Sequence, residues 1–132
     1  MTDDDAQFVV VRGGLNRDAA YMTQTLIDET SGGDQPCLSV FALLPIGAES
    51  EDEVVGRVCR EAGIPHGKVQ RSTGARLRAA GFSLVHEVGV GEADCHYHVY
   101  FETPVTEAQM RRFIESFDPP EPNPTGGMRR RS

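Results

Sequence analysis

The dipeptide Gly91-Glu92 separates two segments of strand character, 82–90 and 93–101, and glycine at the first central position of a two-residue loop is what a type II′ hairpin turn requires. Such a turn fixes the register. Opposed residue numbers sum to 183, so Val88 faces Cys95, His86 faces Tyr97, Leu84 faces Val99 and Phe82 faces Phe101. This is the apolar face of the hairpin, and a slip of one residue would turn it to solvent. The other face carries Ser83, Val85, Glu87, His96, His98 and Tyr100. A hairpin with one apolar face needs further strands beside it and helices over it, and the rest of the chain supplies candidates for both.

Residues 7–12 include Phe8-Val9-Val10-Val11 and stop at Gly13-Gly14, which reads as a strand. Asn16 or Asp18 then caps a helix to about Glu29, with Ala19, Met22, Leu26 and Ile27 as its apolar stripe. Residues 37–44 form a continuous apolar run ended by Pro45, consistent with a buried strand. Ser50 and Glu53 have capping-box spacing before Val54, Val55, Val58 and Cys59, and Gly63 with Pro65 ends that helix. Thr106 and Gln109 repeat the box before Met110, Phe113, Ile114 and Phe117. Residues 66–80 read either as a short strand followed by a brief helix capped by Ser72 or Thr73, or as one helix.

The expected fold is one α+β domain over residues 6–118, with a mostly antiparallel sheet of four strands or fewer, the hairpin 82–101, and amphipathic helices on one face. Residues 1–5 read as a disordered acidic start and 119–132 as a disordered tail rich in proline, glycine and arginine. A length of 132 residues with 39% hydrophobic and 25% charged side chains suits one such domain. No run of 18 apolar residues occurs and the start is acidic, which points to a soluble cytoplasmic protein without a membrane partner. Cys37, Cys59 and Cys95 are odd in number and far apart, as suits reduced, buried thiols.

Charge is unevenly spread. The net charge is -7, yet residues 64–80 hold Lys68, Arg71, Arg76 and Arg78 with no acid, and 129–131 add three arginines, which leaves -14 elsewhere. A basic segment in an acidic protein can meet a phosphate-bearing partner or dock on the protein's own carboxylates.

His96 and His98 share a strand face because side chains alternate with period two, and the hairpin register sets Glu87 across from His96. Two imidazoles and a carboxylate can act as general acid and base, or ligate a divalent metal, so metal binding stays open here. The plainer reading is an exposed polar face with one cross-strand pair. No cofactor is implied, because neither Gly13-Gly14 nor Gly32-Gly33 has phosphate-loop spacing.

Residues 58–71 resemble the middle of a helix-turn-helix, with glycine at the turn and Val69 in the second helix, and the order of elements is similar to that of a winged-helix domain. The resemblance implies that Lys68, Gln70, Arg71 and Arg76 approach nucleic acid. Ser72 and Gly74 depart from that pattern, one polar where an aliphatic is usual and one a poor helix former. The order Arg12, Ser72-Thr73-Gly74 and Glu102 resembles that of ADP-ribosyltransferase-like folds, although each is a single residue with an ordinary structural alternative.

Two functional expectations follow. The first is a non-catalytic binding or regulatory module that meets nucleic acid or an acidic protein through 66–78, with Lys68, Arg71, Arg76 and Arg78 as contacts. The second is a small hydrolase or nuclease acting on a phosphoester with Glu87, His96 and His98, and a scaffold role stands behind both.

Overall fold

The computed structural model describes residues 7–30, 35–87 and 94–126. Its sheet has six strands, and every neighbouring pair is antiparallel: β1 (Val9–Gly13), β2 (Cys37–Leu43), β3 (Lys68–Thr73), β4 (Leu84–His86), β5 (His96–Tyr100) and β6 (Glu121–Pro122), in the order β4-β5-β2-β1-β3-β6. The hairpin register is the expected one, with Leu84 facing Val99, Val85 facing His98 and His86 facing Tyr97. The turn at Gly91-Glu92, with Val88, lies outside the described residues.

Helices cover both faces of the sheet, where one covered face was expected. On one side Val10, Leu38, Val40, Ala42 and Val99 meet Met22 and Leu26 of α1 (Ala19–Glu29), Leu77 of α3 (Gly74–Ala79) and Met110 and Phe113 of α4 (Glu107–Glu115). On the other, Val9, Val11 and Val69 meet Val54, Val55, Val58 and Cys59 of α2 (Glu51–Ala62). The run of valines in β1 is the physical reason. A strand buried on both faces is apolar throughout instead of alternating. Ile27, placed on the α1 stripe by spacing, is exposed, so the buried stripe is Met22 and Leu26.

The cap at α2 forms as the spacing predicts: Ser50 Oγ accepts from the Glu53 amide and Glu53 Oε1 accepts from the Ser50 amide. At α4 half of it forms. Thr106 Oγ1 accepts from the Gln109 amide, while the Gln109 side chain turns away to bond both backbone groups of Glu102.

Segment 66–80 resolves into strand and short helix, with Thr73 Oγ1 capping α3 at the Arg76 amide. The winged-helix arrangement is therefore not the fold. β3 stands where the recognition helix would be, paired by β1 on one side and β6 on the other. Gly74 starts a new helix instead of interrupting one.

Residues 119–126 are also ordered against the domain, contrary to the disordered tail expected from their prolines. Glu121 and Pro122 pair with Val69 and Lys68, and Asn123, 4% exposed, donates from Nδ2 to the carbonyls of Ile64 and His66. The carbonyl of Gly67 accepts from the Asn123 amide. Hydrogen bonds hold this segment, which composition does not reveal. No described helix is long and apolar enough to cross a membrane.

Candidate functional site

Glu87, His96 and His98 share a sheet face, as the alternation requires, but do not converge on one point. His98 Nδ1 lies 3.2 Å from Glu87 Oε1 without an aligned hydrogen bond, so the contact is a charge pair only when the imidazole is protonated. His96, 9% exposed, stacks on Phe41 and reaches Ser39 Oγ with Nε2 at 3.1 Å. The Glu87 amide donates to the His96 carbonyl. Among the described residues no group of three His, Cys, Asp or Glu side chains is arranged to hold a metal ion. The three cysteines are buried and free, and burial pushes the Cys59 thiol up to about 11. Burial also raises Cys95, so neither is a ready nucleophile.

The basic residues separate into two roles. Arg71 binds Glu121 through Nε at 2.7 Å and Nη2 at 2.6 Å, and its Nη1 reaches Asp52 at 2.9 Å and Glu51 at 3.2 Å. These carboxylates, Glu121 foremost, hold the guanidinium firmly charged. Arg76 pairs with Asp118 at 2.7 Å. Both join the basic segment to the protein's own acids. Arg78 is exposed on α3, and Lys68, the only lysine of the chain, is exposed at the start of β3. Of the ADP-ribosyltransferase-like set, Ser72 is buried with Oγ donating to the Ser116 carbonyl, and Arg12 is held by Asn16, Ser39 and Glu29. Those roles are structural.

Arg12 leads to a site that sequence reasoning missed. β1 pairs with β2 only from Val9 to Val11, opposite Leu43 to Phe41. β1 continues along β3, where Gly13 faces Val69, so the sheet forks and Ser39 has no partner on β1. Its backbone polar groups are half-buried and need partners. Arg12 Nη1 donates to the Ser39 carbonyl at 2.6 Å, and Glu29 Oε1 accepts from the Ser39 amide at 2.9 Å. Arg12 Nη2 and Glu29 Oε2, 3.0 Å apart, close the ring. The ion pair replaces the missing ladder bonds and keeps the fork open.

A cavity of about 580 Å³ occupies the fork. Tyr21, Thr25 and Glu29 reach it from one side of α1, four residues apart, as neighbours on a helix must be. Ser39 and Phe41 come from β2, Arg17 from the turn before α1, His66 from the α2–β3 connection and Lys68 from the start of β3. The His66 ring lies against Gly13-Gly14 so closely that a Cβ on Gly13 would stand 2.6 Å from Nδ1. Gly14 also has φ +85°, a conformation that favours glycine. The pair that ended β1 in the sequence is thus the bed of a cavity wall.

Partner bonds hold that wall in place. Asn123 ties down the carbonyls of Ile64, His66 and Gly67 from outside. Gln70 Oε1 accepts from the Asn16 amide while its Nε2 donates to the Asp118 carbonyl, linking the β1–α1 turn to the C-terminal segment. The one sequence signal for the site was the polar i, i+4, i+8 stripe of α1, and it has no meaning until the fork is known. No protein-family model, curated protein or solved structure matches the chain, so its reading rests on this geometry.

Proposed function

We propose that the protein is a binding module whose ligand is a small molecule held in the cavity at the β1–β2 fork. The observation that carries this reading is the fork itself, stabilised open by Arg12 and Glu29 around about 580 Å³. Small-molecule sites typically span roughly 300–1,000 Å³ and combine apolar walls with a few placed polar groups. Phe41, Ile64 and Leu15 supply the first, and Arg17, His66 and Lys68 the second. The basic segment keeps its role as a binding element, but only through its first residues. Arg71 and Arg76 are engaged by internal carboxylates, which favours the cavity over a nucleic acid or acidic protein laid along 66–78.

Amide chemical shifts recorded during titration with a small-molecule fragment panel test the reading. Perturbations are expected to cluster at Gly14, Arg17, Tyr21, His66 and Lys68. Perturbation by an oligonucleotide centred on Arg76 and Arg78, abolished in Arg76→Ala, would return the site to the basic segment.

A second reading, a small hydrolase, draws on Ser39. Its hydroxyl is hydrogen-bonded to His96 Nε2, the elementary nucleophile and base pair, and Ser39 lines the cavity. His98 lies edge-on to His96 with ring centroids 4.9 Å apart, and Glu87 approaches His98. Turnover of p-nitrophenyl phosphate that is lost in both Ser39→Ala and His96→Ala would establish it, and absence of turnover in the parent protein would set it aside.

A further inference from the structure

The cavity's charge identifies its ligand class more closely, and we infer that it takes a phosphate monoester on a small apolar body. This rests on the cavity reading above. Four of the lining side chains carry fixed charge: Arg12, Arg17, Lys68 and Glu29. Arg12 and Glu29 cancel, and both oxygens of Glu29 are occupied, one by Arg12 and one by the Ser39 amide. The carboxylate's charge is thus already shared between a guanidinium and a backbone donor. Among the described residues no carboxylate pairs with Arg17 or Lys68. The contact shown for Arg17 is with the Tyr21 ring, 5.1 Å from the guanidinium carbon to the ring centroid, which leaves its N–H edges able to donate.

Beyond the Arg12–Glu29 pair the cavity thus presents two positive side chains, Arg17 and Lys68, in a chain whose net charge is -7, and Arg17 also borders a neighbouring pocket that holds Asp18, Glu107 and Glu115. A phosphate monoester carries about -1.5 to -2 at neutral pH and offers three acceptor oxygens. That matches the available charge. Arg17 lines the cavity from the turn before α1, His66 from the α2–β3 connection and Lys68 from the start of β3, and a tetrahedral group can accept from several directions. A carboxylate would match half the charge. The apolar body has Phe41, Leu15 and Ile64 to rest against.

Three probes separate the possibilities: phenylphosphonate, benzoate and benzyl alcohol. The phosphonate is chosen because its P–C bond survives a hydrolase. Titration of the full chain, followed by amide shifts and calorimetry, is expected to rank phenylphosphonate tightest, with shifts at His66, Gly67 and Lys68. Arg17→Gln/Lys68→Gln, both at exposed positions, should weaken phenylphosphonate at least tenfold and leave benzyl alcohol unchanged. Benzoate or benzyl alcohol binding as tightly as phenylphosphonate would overturn the phosphate assignment while leaving the cavity reading standing, as would phosphonate binding indifferent to the double substitution. Failure of all three probes to perturb any cavity residue would overturn both.

Discussion

Arg12 shows how much one side chain can decide. It is 9% exposed, bonds three residues from three parts of the chain, and stands in for a missing stretch of sheet ladder. Arg12→Met should lower stability by about 1–3 kcal/mol, because it leaves the Ser39 carbonyl and the Glu29 carboxylate short of a donor. Urea denaturation would measure this, and a loss below 0.5 kcal/mol would show that water serves the fork as well as the arginine does. Glu49 offers a cleaner electrostatic test. Hydrogen bonds from Arg57, then from the Ile46 amide, hold its carboxyl at about 2 instead of the usual 4.5. Because the folded value is depressed, this pair's contribution is complete above pH 4.5 and is lost as pH falls towards 2. A carbon-detected titration should find the Glu49 midpoint near 2, returning towards 4.5 in Arg57→Met.

At the scale of elements, α2 carries the sheet face that the other three helices leave uncovered. Its cap and its stripe can be tested separately. Ser50→Ala removes one of the two reciprocal bonds and should cost about 1 kcal/mol. Val58→Ala, at a fully buried position, should cost about 2 kcal/mol through lost burial and the cavity left behind. Both are read from the shift of the denaturation midpoint. A Ser50→Ala effect larger than that of Val58→Ala would mean that α2 depends on its terminus more than on its packing. These elements were legible in the sequence because local rules define them: the cap spacing at Ser50, the valine stripe, and the 183 sum of the hairpin each need only neighbouring residues. The fork was not. It depends on Arg12, Glu29 and Ser39 meeting from three elements, and no periodicity or spacing encodes that meeting. The Glu87, His96 and His98 set was half legible for the same reason. Alternation correctly placed the three on one face, but it does not specify contacts, and Glu87 lies against His98 while His96 reaches Ser39.

For the whole molecule, the charge arithmetic now has a spatial meaning. Positive side chains of the basic segment are distributed between internal clamps at Arg71 and Arg76 and a cavity rim at Lys68. The clamps hold down the C-terminal segment, and that segment in turn holds the His66 loop. Asn123→Ala should therefore weaken phenylphosphonate binding severalfold while the hydrophobic core stays intact. The check is calorimetric titration beside near-ultraviolet circular dichroism, and unchanged affinity would show that the loop keeps its shape unaided. The two-residue strand β6 has another consequence. A sheet ends safely only where its last strand cannot recruit another chain, and Pro122 has no amide hydrogen to offer one. A chain shortened to end at Asp118 would leave β3 as a bare edge of unpaired backbone groups, and light scattering should detect its self-association at concentrations where the full chain stays monodisperse.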